Sequence, residues 1–107
     1  MTQEQSTDGG STDDREPGEM SLEELREEIR SIDREIVELI AQRTYVADAI
    51  AQVKADEGLP TTDEQQEQQV MERAADNAAR FDVDESRVKA VFRELIELNK
   101  EYQRENR

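Results

Sequence analysis

The chain has 107 residues, enough for one domain, and carries a net charge of -14 from 28 acidic and 14 basic side chains. It has no cysteine and no histidine, which removes disulfides, thiol chemistry, imidazole acid–base chemistry and the usual zinc sites. Aromatics make up only 4% of the residues, so helices sharing a narrow seam fit better than a thick globular core.

Residues 1–19 hold six acids (Glu4, Asp8, Asp13, Asp14, Glu16, Glu19) against Arg15, with no apolar side chain after Met1. Nothing there offsets the entropy of ordering, so a disordered acidic tail is expected, with the ordered domain over 20–107. Met20, directly before the first helix, is a second candidate translation start.

From Ser21 to about Asp56 the apolar residues Leu22, Leu25, Ile29, Ile32, Ile36, Leu39, Val46, Ile50 and Val53 keep an alternating spacing of three and four. The heptad register places Arg43 in this seam. A helix of ~36 residues is roughly 54 Å long, too long to bury its seam against the rest of one short chain, so a second copy is expected. Ser21 with Glu24 reads as a capping box, and Met20 with Leu25 as a hydrophobic staple. Gly58 and Pro60 mark the end of the helix.

Thr62 and Gln65 form a second capping pattern, opening a helix over about 63–80. Its apolar face (Val70, Met71, Ala74, Ala75, Ala78) is thin, which predicts close packing. After a short turn over 81–83, Asp84 caps a third helix carrying Val88, Val91, Phe92, Leu95, Ile96, Leu98 and Tyr102. The fold class is all-α: three helices, the first very long, in an intertwined helical homodimer.

An arginine at a seam position costs several kcal/mol if buried unpaired. Arg43 therefore either pairs with a carboxylate of a partner chain and marks register, or binds a carboxylate on a ligand. Lys54 lies three turns further on roughly the same side. Arg26 sits about 25 Å before Arg43 along the helix. It is either a solvated surface residue or, in an antiparallel dimer, the third cation of a shared site. Asp63 and Gln66 lie in the first turn of the second helix, where an acid is favoured by the helix dipole alone. Glu67 aligns with Met71, Ala74 and Ala78 and would accept a hydrogen bond from a ligand hydroxyl. Asn99 and Gln103 continue the apolar stripe of the third helix, as its polar end or as neutral donors to a pocket.

The run Leu25-Arg26-Glu27-Glu28-Ile29, then Ile32-Asp33, Leu39-Ile40-Ala41, Arg43 and Lys54, resembles the first helix of the all-helical chorismate mutases, the AroQ class. Pro60, Asp63, Glu67 and Gln103 keep that family's spacing, and the likeness covers about residues 20–106. The resemblance implies a homodimer with two pockets and no cofactor or metal. In each, Arg43 and the partner's Arg26 would hold the two carboxylates of chorismate. Lys54 and Gln103 would contact the ether oxygen, and Glu67 the ring hydroxyl, with Asp63 beside it. Asn99 stands where some relatives have serine. Gln66 departs from the pattern, because many relatives carry an arginine there.

Two other readings stay open: an isochorismate–pyruvate lyase on the same fold, and a non-catalytic helical dimerisation module. The acidic surface disfavours nucleic acid and anionic membrane as partners. No apolar run approaches the ~20 residues of a membrane span and no signal peptide opens the chain, so a cytoplasmic protein is expected. With only Lys54, Lys89 and Lys100 as lysines, the charge balance resembles that of proteins from halophilic archaea. Dimer stability is then expected to fall at low salt, as acidic surfaces repel.

Overall fold

A computed structural model describes residues 16–60 and 63–106. The described residues are all-helical: α1 spans Leu22–Asp56, α2 Glu64–Arg80 and α3 Glu85–Glu105. A turn of 3-10 helix, Pro17–Glu19, precedes α1. The remainder of the expected tail, residues 1–15, lies outside the described residues. No described helix is long and apolar enough to cross a membrane.

Each helix end has an identifiable cause. At the start of α1, the Ser21 N–H donates to Glu24 Oε1 at 2.9 Å and the Glu24 N–H donates to Ser21 Oγ at 3.1 Å, the reciprocal capping box expected there. Its end is a Schellman motif: Leu59 N–H bonds to the Lys54 carbonyl at 2.8 Å and Gly58 N–H to that of Ala55 at 3.1 Å. Gly58 takes the left-handed conformation this needs, with φ of 73°.

The cap of α2 is Asp63, whose Oδ1 accepts from the N–H groups of Gln65 and Gln66 at 3.1 and 3.2 Å. The helix thus begins at Glu64, one residue later than the capping pattern of Thr62 and Gln65 predicts; Thr62 lies outside the described residues. α2 ends in a second Schellman motif, from Val83 N–H to the Ala78 carbonyl at 2.9 Å and from Asp82 N–H to that of Ala79 at 3.3 Å. Here Asp82, with φ of 61°, occupies the left-handed position. Asp84 then caps α3 by accepting from the Arg87 N–H at 2.9 Å.

The chain divides into two compact units, one up to Gln42 and one from Arg43 onward. In the first, Arg30 pairs with Glu23 and Glu27, both at 2.9 Å, on the solvent side of α1. The side-chain hydrogen bonds from Glu27 and Glu23 raise the pKa of Arg30 above its ordinary value. Exposed pairs of this kind add little stability. Seam residues Leu22, Ile29, Ile32, Ile36 and Leu39 remain exposed in this unit.

In the second unit α2 packs along α3 through the small residues Ala74 and Ala78, both buried, as its thin apolar face predicts. The α1 segment of this unit buries Thr44 and Ala51. Its seam residues Val46, Ile50 and Val53 stay exposed, as do Val91 and Leu98 of α3. Among the described residues no large side chain is fully buried, so the hydrophobic gain within this unit is small for its length.

Candidate active site

Three of the expected site residues meet where α1 of the second unit packs on α3. The Arg43 guanidinium donates to Asn99 Oδ1, and its carbon lies 5.9 Å from the centre of the Phe92 ring, a cation–π distance. Asn99 is buried, and its Nδ2 donates to the buried hydroxyl of Thr44 at 2.8 Å. That bond fixes the amide with its oxygen toward the guanidinium. Gln103, one turn further along α3, places Nε2 3.4 Å from the Ala47 carbonyl, one turn beyond Arg43 on α1.

The electrostatics of Arg43 are unusual for a half-buried arginine. Its side-chain partner is a neutral amide, and among the described residues it has no ion pair with a carboxylate. Burial lowers its pKa below the ordinary value, and the positive charge of Arg73 lowers it further. It stays protonated at neutral pH all the same. A partly desolvated cation whose charge is further opposed by a second positive charge is a poor arrangement for stability and a good one for an anion.

Lys54 and Asp63 are brought together at the other end of this α1 segment. They line a cleft of about 540 Å³ with Leu59, Pro60, Glu64 and Gln65, a size in the range of small-molecule sites. The Schellman turn after Lys54 and the Asp63 cap of α2 build its walls. Asp63 Oδ1 is engaged with the backbone N–H groups of Gln65 and Gln66. Gln66 is exposed in the same first turn.

Glu67 is half-buried on α2 and forms an ion pair with Lys100 of α3, Oε2 to Nζ 2.8 Å. It lines a second cleft, of about 550 Å³, with Met71, Arg93 and Ile96 among others. Arg26 is exposed on α1 of the first unit. No cluster of described side chains has the makings of a metal site.

Two residues of this region escape the sequence reading. Thr44 is small and polar, so neither an apolar pattern nor a charge marks it. Lys100 has a signal: with Ile96 and Gln103 it falls at helical spacing along the half-buried side of α3. Asn99 gives an N–H to Thr44 and offers its carbonyl to Arg43.

Residues 25–104 match the family described as chorismate mutase type II. A protein of Methanocaldococcus jannaschii named chorismate mutase is 34% identical over 84 residues, covering 78% of this chain and 85% of that protein. The matched region contains α2 and almost all of α1 and α3, with every site residue described above. The chain therefore belongs to the type II chorismate mutase family, and its activity is that of an isomerase acting on chorismate.

Proposed function

We propose that two copies of the chain join along the exposed α1 seam and that each of two identical pockets rearranges chorismate to prephenate by restraint and charge. The observation that carries this reading is Arg43, a half-buried guanidinium with a neutral partner and a second cation acting on it. An anionic ligand offsets the cost of that arrangement, and chorismate is a dianion. The seam supports the dimer: Leu22, Ile29, Ile36, Leu39, Val46 and Ile50 are large apolar residues left in solvent by one chain alone.

The reaction is unimolecular. An ether C–O bond breaks while a C–C bond forms, with no net proton or electron transfer. The residues then need only hold and polarise. Arg43, with Arg26 of the partner subunit, grips the two carboxylates and keeps the substrate in the compact geometry where the bonding carbons meet. Negative charge grows on the ether oxygen as its bond breaks. Lys54 and Gln103 meet that charge with a cation and an amide donor, so they bind the transition state more tightly than the ground state. Glu67 accepts the ring hydroxyl, with Asp63 beside it, and Gln66 leaves the adjacent position uncharged. Asn99 acts through Arg43, holding the guanidinium in place.

The site belongs to a cytoplasmic enzyme of aromatic amino acid synthesis in this reading. The net charge of -14 and the scarcity of lysine support a high-salt cytoplasm. The test is incubation of the purified protein in molar KCl with chorismate and, separately, with isochorismate. Loss of chorismate absorbance with formation of prephenate supports the proposal. Pyruvate release from isochorismate, with no prephenate from chorismate, would identify a lyase.

A further inference from the structure

Lys100 stands in none of the roles assigned above, yet it touches one of the residues that fill them. Its Nζ lies 2.8 Å from Glu67 Oε2, and the two side chains are only 26% and 33% exposed. It sits on α3 between Asn99 and Gln103, so it shares the stretch that carries the amides of the site. Glu97 is its second, longer contact, at 4.0 Å.

We propose that Lys100 is a positioning residue for substrate binding: it holds Glu67 by one oxygen and cancels its charge, so that a dianion can be seated beside a carboxylate. The inference rests on the placement of Glu67 in the pocket proposed above. A free carboxylate there would repel both carboxylates of the substrate, and the adjacent α2 position, Gln66, supplies no cation. With Oε2 held by Lys100, Oε1 remains as the acceptor for a hydroxyl, and the side chain no longer samples rotamers that point elsewhere. A contact made equally to substrate and transition state is read in KM, not in kcat.

The test is steady-state kinetics on Lys100→Met, Lys100→Gln and Lys100→Arg, each in the natural chain and in a Glu67→Gln background. Both neutral variants should raise KM on the order of tenfold with kcat within about twofold of wild type, as expected for loss of one charge-assisted contact. Lys100→Arg should recover most of the affinity. In the Glu67→Gln background the Lys100 substitutions should add nothing. If either neutral variant folds and keeps the wild-type KM while Glu67→Gln is impaired, the inference fails and the pocket stands. A KM effect of Lys100 that persists undiminished in the Glu67→Gln background would also overturn it. Wild-type kinetics for Glu67→Gln itself would take Glu67 out of the pocket, and both ideas would fall together.

Discussion

Arg43 donates to the side-chain carbonyl of Asn99, 56 positions further along the chain, and Asn99 in turn donates to Thr44. The amide is thus the means by which α3 aims a cation that α1 carries. Replacing it by a carboxylate changes few atoms and inverts the electrostatics. Asn99→Asp should fold with little change in melting temperature, because the new ion pair and the Thr44 hydroxyl satisfy the group. Its kcat/KM should fall on the order of a hundredfold, as Arg43 is neutralised in place. Chorismate kinetics beside a thermal melt check this.

Lys54 is assigned the largest share of the rate. Lys54→Ala removes a donor aimed at developing charge, a change typically worth ~3–4 kcal/mol, or about 10²–10³ in kcat. Lys54 carries no helix-packing role comparable to Ala51, so helical content should be retained. Turnover near the wild-type rate in purified Lys54→Ala would remove the electrostatic account.

The seam makes a separate prediction. Ile36 is 48% exposed in one chain, as part of a row with Ile29, Ile32 and Leu39. Ile36→Glu should be harmless to a monomer and should split a dimer, because it buries a carboxylate in an apolar interface. Sedimentation should show a halved mass, and activity should be lost with it. A variant that stays dimeric and active would place the interface elsewhere.

Asp82 gives a stability prediction independent of function. It holds a left-handed conformation at the end of α2 where Gly58 serves the same purpose after α1. Left-handed backbone costs a residue with a Cβ about 1 kcal/mol. Asp82→Gly should raise the melting temperature by a few degrees, or about 4–8 °C for each kcal/mol in a domain of this size. A lower melting temperature would mean that the Asp82 side chain contributes more than its backbone strain costs.

How far these features can be read from residues alone follows from their physics. The ends of α1 and α3 are carried by local hydrogen bonds between residues three to five apart, so Ser21, Glu24, Gly58 and Asp84 announce them. The thin face of α2 is equally local. The setting of Arg43 is not. Its depth is set by α3: the guanidinium reaches Asn99, and Thr44 beside it is buried against the same amide. Those contacts run through small and polar side chains that leave no apolar signal. The Glu67–Lys100 pair is likewise tertiary: it joins residues on two helices, and only the packing of α2 on α3 brings them together.

The central claim is that one copy supplies Arg26 and the other Arg43 and Lys54 to a single pocket. Subunit mixing tests it most directly. Arg26→Ala and Arg43→Ala should each be nearly inactive, since each spoils both pockets of its own dimer. Exchange of equal amounts should yield hybrids in which one pocket carries both substitutions and the other is intact, restoring about a quarter of the wild-type activity. No recovery, with exchange of subunits demonstrated by mass, would contradict a pocket shared between two chains.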